Sequence, residues 1–147
     1  MKSRARVLVI DDEALMRRLV RKILMKEGYS VAAASGPPEA LQKLGQSNYD
    51  IVITDLRMPE VDGFSFIAQL RERHPGTSLI VMTGFGDAET ADQVRAHGAD
   101  EYITKPFNER EIQVIVERVC WRRMVAKRSS VRAAMPESAS VQAPACP

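Results

Sequence analysis

The chain has 147 residues, of which 45% are hydrophobic and 27% are charged. This composition predicts one soluble globular domain with a substantial core. The formal charge of +2 is too close to balance to favour wholesale binding to nucleic acid or membrane, so such binding would need a local patch. No apolar run approaches the roughly 20 residues that cross a bilayer, and the run after the basic start is too short for a signal peptide. We therefore expect a cytoplasmic protein without a membrane partner.

Short apolar runs alternate with segments of helical periodicity, the pattern of parallel strands joined by helical crossovers. The predicted strands are residues 6–10, 30–34, 50–54, 78–82 and 102–104. In the first helix, Leu15, Leu19, Ile23 and Leu24 are predicted to form the inward face. In the last, Asn108 is the predicted N-cap, with Glu111 three residues later as in a capping box. The alternation predicts an α/β fold with a parallel sheet.

The C-terminal residues are rich in Ala, Ser and Pro and poor in large apolar side chains. Such a segment cannot bury enough surface to offset the entropy lost on ordering. We therefore predict a folded domain over residues 1–126 and a disordered tail over residues 127–147.

Polar side chains follow four of the predicted strands. Asp11 and Asp12 follow the first, Asp55 follows the third, Thr83 the fourth and Lys105 the fifth. The carboxyl ends of parallel strands lie along one edge of a sheet, where ligands bind in open α/β folds. We expect these five side chains to converge there.

Three converging carboxylates have to be neutralised. Two like charges about 4 Å apart repel by roughly 4 kcal/mol at an effective dielectric near 20, so the cluster favours uptake of a cation. Hard oxygen ligands without a nearby His or Cys favour Mg²⁺, with Mn²⁺ as a second choice, over zinc. Asp11 or Asp12 could instead merely cap the first helix, but capping leaves Asp55 unexplained.

A carboxylate can also act as a nucleophile toward phosphorus and form an aspartyl phosphate. Phosphoryl transfer depends mainly on positioning and on neutralised charge. In that case Lys105 would pair with the phosphoryl oxygens and Thr83 would donate a hydrogen bond to them. The alternatives are that Thr83 is an ordinary strand residue and that Lys105 is a solvated loop residue.

These residues lie within motifs that resemble those of the receiver domain of bacterial two-component response regulators. The motifs are Val7–Glu13, Thr54–Pro59 followed by Asp62-Gly63, Met82–Gly84 and Lys105–Phe107. They occur in the order and spacing of that family, and the resemblance covers about residues 4–121.

The resemblance implies a doubly wound (βα)5 flavodoxin-like three-layer sandwich with strand order 2-1-3-4-5. It implies that Asp55 is the phosphoacceptor and takes the phosphoryl group from a phosphohistidine on a sensor histidine kinase. Asp11, Asp12, Asp55 and the backbone carbonyl of Arg57 would hold Mg²⁺. Thr83 and Lys105 would contact the phosphoryl group.

The resemblance also implies a cis peptide bond between Lys105 and Pro106. Tyr102 would be a switch aromatic that turns inward on phosphorylation and changes the surface of the fourth helix, fifth strand and fifth helix. Tyr102 could instead be an ordinary strand residue. Arg57 and Phe85 lie two positions after Asp55 and Thr83, so they are candidates for controlling water access and the phosphoryl lifetime.

The interpretation we favour is a stand-alone receiver, monomeric or dimeric on phosphorylation, that is no enzyme beyond self-phosphorylation and slow autodephosphorylation. It would bind a protein target or relay the phosphoryl group to a histidine phosphotransfer protein. The alternative is the receiver portion of a transcription regulator that acts on DNA through a basic C-terminal segment or a lost output domain. The basic residues of that segment are Arg118, Arg122, Arg123, Lys127, Arg128 and Arg132.

Two other classes fit the sequence less well. A haloacid-dehalogenase-type phosphatase places its nucleophile in an Asp-x-Asp motif after the first strand, whereas Asp11 and Asp12 are adjacent. A flavin-binding flavodoxin-like protein needs a Ser/Thr/Gly-rich phosphate loop there, and Asp11-Asp12-Glu13 has the opposite charge. Turnover of a phosphomonoester or a yellow purified protein would favour one of them.

Overall fold

The computed structural model describes residues 4–59, 61–84 and 88–134. Within them the sheet has five parallel strands in the order β2-β1-β3-β4-β5. The strands are β1 (Arg6–Ile10), β2 (Ser30–Ala34), β3 (Ile51–Asp55), β4 (Ser78–Thr83) and β5 (Glu101–Thr104). The helices are α1 (Ala14–Lys26), α2 (Pro37–Gln46), α3 (Gly63–Arg73), α4 (Ala88–Ala96) and α5 (Glu109–Ala134). The predicted flavodoxin-like fold and strand order are confirmed.

The core consists of two layers, one on each face of the sheet. Successive residues of a strand point to opposite faces: Val7 and Val9 of β1 pack with α1 and α5, whereas Leu8 and Ile10 pack with α2, α3 and α4. Because helices cover both faces, both sets of side chains are buried and the strands read as continuous apolar runs.

The inward face of α1 differs from the prediction. Ile23 and Leu24 are buried together with Val20, but Leu15 is 77% exposed and Leu19 is 46% exposed. The face that packs on the sheet lies about one residue further around the helix than the leucine spacing indicated. The prediction for Leu15 and Leu19 was therefore wrong.

The last helix is longer than expected. The Asn108 Oδ1 atom accepts a hydrogen bond from the Glu111 amide at 2.8 Å, as the predicted cap requires. Further along, Arg123 Nη1 donates to the Gly76 carbonyl at 2.7 Å and to Ser78 Oγ at 3.0 Å, which fastens α5 to the start of β4.

The boundary predicted for the tail therefore differs from the structure, because residues 127–134 belong to α5. Ala, Arg and Lys are good helix formers, and a helix anchored by packing can continue past its last buried turn. Residues 135–147 lie outside the described residues. Among those described, no helix is both long and apolar enough to cross a membrane.

Candidate functional site

Three carboxylates converge at the carboxyl edge of the sheet. Asp55 is the last residue of β3, and Asp11 and Asp12 directly follow β1, which pairs with β3 through Ile10 and Thr54. Asp11 is fully buried, Asp55 is 7% exposed and Asp12 is exposed. One oxygen from each carboxylate lies within 4.8 Å of the others. The topology thus places side chains that are distant in sequence around one point.

Lys105 lies against two of the three acids. Its Nζ atom is 2.8 Å from Asp11 Oδ2 and 3.1 Å from Asp55 Oδ2. Its amide donates to the Thr83 carbonyl at 2.7 Å, and the Lys105–Pro106 peptide bond is cis. The end of β5 is thereby held beside the end of β4.

Hydrogen bonds from the loops orient the two buried acids. The Glu13 amide donates to Asp11 Oδ1 at 2.9 Å, and the Arg57 amide donates to Asp55 Oδ1 at 3.1 Å. Arg17 Nη1 donates to the Asp11 carbonyl at 2.7 Å. The sequence analysis missed Arg17, because a basic residue in the first turns of an amphipathic helix gives no signal of a contact with the preceding loop.

The electrostatics of the cluster follow from burial and from these contacts. Burial raises the pKa of Asp55, although the Arg57 amide and the Lys105 ammonium partly offset that effect. Burial opposes the charge on Lys105, but its hydrogen bonds to Asp11 and Asp55 raise the pKa of Lys105 overall. Three carboxylates face one ammonium group, which leaves an excess of negative charge.

This donor set fits a hard divalent cation. The three acids supply carboxylate oxygens close enough to share one ion, and oxygen ligands with room for water are what Mg²⁺ prefers. Since a buried excess of negative charge is costly, uptake of such a cation relieves it.

Thr83 and Tyr102 lie on neighbouring strands. Thr83 is the last residue of β4, is 2% exposed and pairs with Thr104 of β5. Tyr102 pairs with Val81, is partly buried against the layer of α2, α3 and α4, and lies beneath Arg95, whose guanidinium carbon is 5.3 Å from the ring centroid. Phe85 lies outside the described residues.

Glu101 is a second residue that the sequence analysis missed. It is 4% exposed and forms ion pairs with Arg95, Arg118 and Arg122. Only the helix packing brings these side chains together, since Arg95 comes from α4 and the other two arginines from α5.

The fold agrees with comparisons to known proteins. Residues 7–117 match the response regulator receiver domain family. The chain belongs to this family and is a receiver domain of two-component response regulators.

Similar sequences include the transcriptional regulatory protein ResD of Bacillus subtilis, 38% identical over 78% of this chain and 48% of ResD. The regulatory protein AtoC of Escherichia coli is 34% identical over 77% of this chain and 24% of AtoC. The chain thus spans about half the length of the first relative and a quarter of the second.

Similar solved structures include the chemotaxis response regulator CheY4 of Vibrio cholerae, with a TM-score of 0.73 and 30% identity. That match covers 81% of this chain and 99% of CheY4. NtrX of Brucella abortus in complex with ADP has a TM-score of 0.80 and 28% identity, over 90% of this chain and 29% of NtrX.

Proposed function

We propose that Asp55 accepts a phosphoryl group from a phosphohistidine on a sensor histidine kinase. The observation that carries this proposal is the cluster of Asp11, Asp12 and Asp55 with Lys105 across it. A nucleophilic carboxylate, room for a divalent cation and a fixed ammonium group are the parts that phosphoryl transfer needs.

In the proposed step, an Asp55 carboxylate oxygen forms a bond to phosphorus while the bond from phosphorus to the imidazole nitrogen breaks. The imidazole leaves with that electron pair and becomes neutral histidine after any proton transfer its ring requires. The product is a mixed anhydride on Asp55. Hydrolysis by water returns the carboxylate and inorganic phosphate.

Mg²⁺, or Mn²⁺ in its place, would be held by Asp11, Asp12, Asp55 and the backbone carbonyl of Arg57. When bound, the ion neutralises charge on the carboxylates and on the phosphoryl oxygens. The proximity of the three carboxylates supports the assignment of Asp11, Asp12 and Asp55 as ligands.

We assign Lys105 to hold a phosphoryl oxygen by a charge-assisted hydrogen bond, and Thr83 to donate its hydroxyl to another. Movement of Thr83 would free space for Tyr102 to turn inward. This rotation would alter the surface of α4, β5 and α5 to which a target binds. Relay to a histidine phosphotransfer protein is the other output. Arg57 and Phe85 are assigned to control water access and hence the lifetime of the anhydride.

The test uses the whole chain with phosphoramidate and Mg²⁺, followed by intact-mass measurement. We expect a gain of about 80 Da that requires Mg²⁺ and is absent in Asp55→Asn, whose amide keeps the shape of the side chain. A gain that persists in Asp55→Asn, or none in the wild type with either Mg²⁺ or Mn²⁺, would refute the proposed chemistry.

A second candidate function is regulation of transcription. It is favoured by the names of ResD and AtoC and by the basic residues that α5 carries beyond the matched range. Binding of duplex DNA should then weaken steeply with salt and fall in Arg122→Gln. Affinity for DNA that is independent of salt and of this substitution would exclude it.

A further inference from the structure

The loop between β1 and α1 holds Asp11 at each of its polar atoms. The Asp11 amide donates to the Ala34 carbonyl at 3.2 Å. The carboxylate accepts from the Glu13 amide at 2.9 Å and from Lys105 Nζ at 2.8 Å. The carbonyl oxygen accepts from Arg17 Nη1 at 2.7 Å. Asp11 is therefore fixed in both its backbone and its side chain.

Asp12, the second acid of the same loop, is held less directly. Its side chain is exposed, and within the part of the chain that the structure describes no hydrogen bond holds its carboxylate. One of its oxygens still lies within 4.8 Å of an oxygen of Asp11 and of Asp55. The direction of this carboxylate therefore depends on the backbone that carries it.

The peptide unit between Asp11 and Asp12 connects the two acids. A peptide unit is planar, so the Asp11 carbonyl oxygen and the Asp12 Cα atom lie in one plane. The guanidinium group of Arg17 binds that oxygen and so restricts rotation of the plane. The same contact restricts where the Asp12 side chain points. Because the bond goes to a carbonyl, it occupies none of the carboxylate oxygens that would bind a cation.

Arg17 stands at a position that does not favour a cation for the sake of the helix. It lies in the first turn of α1, where its amide donates to the Glu13 carbonyl at 3.1 Å. The positive end of a helix dipole disfavours a positive side chain there. Helical side chains lean toward the N-terminus, so the half-buried side chain of Arg17 reaches back to the loop. The contact with the Asp11 carbonyl is what this arginine provides.

We propose that Arg17 is a positioning residue for the divalent cation. By holding the Asp11 carbonyl, it keeps Asp12 in the direction that completes the ligand set with Asp11 and Asp55. The inference rests on the proposed function, because it concerns the cation that this function requires. Arg17 itself contacts neither the cation nor the phosphoryl group. Removal of groups that orient metal ligands typically weakens metal binding about 10- to 100-fold.

The test measures binding of Mn²⁺ alone to the full chain, through the loss of the free-ion signal in electron paramagnetic resonance. Calorimetry with Mg²⁺ is the second probe. The variant is Arg17→Met, which keeps a long side chain but has no donor. Arg18→Met is the matched control, because Arg18 is the adjacent, exposed arginine of α1 and its replacement removes the same charge. Circular dichroism and urea midpoints verify that each variant is folded.

We expect Arg17→Met to weaken Mn²⁺ binding about 10-fold. Removal of a nearby positive charge would by itself strengthen cation binding, so the expected change is opposite in sign to the electrostatic effect. Arg18→Met should bind no more weakly than the wild type, and Arg17→Lys, which keeps a charged donor, should lose less than Arg17→Met. Unchanged or tighter binding in folded Arg17→Met, or an equal loss in Arg18→Met, would overturn the proposal.

A double-mutant cycle with Asp12→Asn separates positioning of Asp12 from a general loosening of the loop. If Arg17 acts through Asp12, Arg17→Met should weaken Mn²⁺ binding much less in the Asp12→Asn background than in the wild type. Additive losses of the two substitutions would overturn the proposal, because Arg17 would then act independently of Asp12.

Phosphorylation by phosphoramidate gives an independent readout. Arg17→Met should raise the Mg²⁺ concentration that gives half the maximal rate about 10-fold, while the rate at saturating Mg²⁺ stays close to that of the wild type. A lower rate at every Mg²⁺ concentration with unchanged half-saturation would assign Arg17 a structural role instead.

The binding and mass measurements keep this inference apart from the proposed function. Mn²⁺ binding that Arg17→Met weakens, without any gain of mass on phosphoramidate treatment, would support the positioning role and refute the phosphoryl chemistry. Equal affinities in the wild type and Arg17→Met, with full phosphorylation, would refute the positioning role alone. Absence of Mn²⁺ and Mg²⁺ binding by the wild type, or binding that Asp12→Asn leaves unchanged, would refute the metal site and the role of Arg17 together.

Discussion

Lys105 and Asp55 are 50 residues apart in sequence, yet the Lys105 Nζ atom lies 3.1 Å from Asp55 Oδ2. The same ammonium group lies 2.8 Å from Asp11 Oδ2. In the absence of a metal ion, Lys105 is therefore the direct counter-charge of the two buried acids. Its removal should affect the stability of the fold as well as phosphoryl transfer.

The substitution Lys105→Met keeps the length of the side chain but removes this charge. In buffer with EDTA we expect a loss of about 3 kcal/mol in the free energy of unfolding, because an uncompensated buried carboxylate is costly. Urea unfolding followed by circular dichroism measures it. Lys105→Arg, which keeps the charge, should lose less, and Mg²⁺ should restore more stability to Lys105→Met than to the wild type. Equal unfolding free energies in EDTA would contradict this account.

Asp55→Asn should stabilise the metal-free protein at neutral pH. Burial raises the pKa of Asp55 in the folded chain, so the protonated side chain contributes stability below the pKa of an unfolded aspartate. That contribution is lost as the pH rises through the pKa of Asp55 in the folded chain. It amounts to about 1.4 kcal/mol for each unit by which the folded pKa exceeds the unfolded pKa. The advantage of the variant over the wild type should therefore be largest near pH 7 and disappear toward pH 4.

Unfolding free energies of both proteins across this pH range, in EDTA, provide the measurement. A constant difference across the range would show that the carboxylate charge is not responsible. Addition of Mg²⁺ at pH 7 should stabilise the wild type more than the variant, because the wild type retains all three carboxylates. The difference between the two unfolding free energies should then become smaller.

Gly63 should tolerate no side chain. A Cβ atom there would overlap the backbone carbonyl oxygen of Leu56, the residue directly after Asp55, so the start of α3 and the loop would have to separate. We expect Gly63→Ala to cost more than about 2 kcal/mol and to lower the rate of phosphorylation by phosphoramidate. Gly45→Ala is the control, since that exposed helix position has nothing within 4 Å. It should stabilise by roughly 0.5 kcal/mol, and a Gly63→Ala variant as stable as Gly45→Ala would refute the steric argument.

The leucines of α1 should differ sharply in their contribution to stability. Leu24 is fully buried and Leu19 is 46% exposed. Leu24→Ala should cost about 3 kcal/mol through lost packing and cavity formation, whereas Leu19→Ala should change the unfolding free energy by less than about 1 kcal/mol. Thermal and urea unfolding of the two variants test this. A similar loss of unfolding free energy in both variants would show that Leu19 lies on the inward face, as the sequence pattern predicted.

The sequence predicted those features that local chemistry controls. Strands with both faces covered are continuously apolar, and the acids at their carboxyl ends follow from the topology of a parallel sheet, so Asp11 and Asp55 could be placed beside each other. The inward face of α1 was harder to predict. One helical series is Leu15, Leu19 and Ile23, and an equally regular one is Met16, Val20 and Ile23. Only packing against the sheet decides which of the two series faces inward.

Contacts between distant elements could not be predicted. The ion pairs of Glu101 depend on how α4 and α5 lie against β5, and the contact of Arg17 with the Asp11 carbonyl depends on the path of the loop after β1. The extent of α5 was also missed, since composition indicates whether a segment can form a core but not whether a helix already anchored elsewhere continues through it.

That continuity has a geometric consequence. α5 begins beside the site at the end of β5, is fastened by Arg123 at the opposite edge of the sheet, and continues for 11 residues to Ala134, about 16 Å at 1.5 Å per residue. A tilt of about 10° around Arg123 would move the far end by roughly 3 Å. Rotation of α5 around Arg123 therefore carries a displacement of its first turns, at the α4, β5 and α5 face, to Ala134 beyond the opposite edge of the sheet, with a similar amplitude.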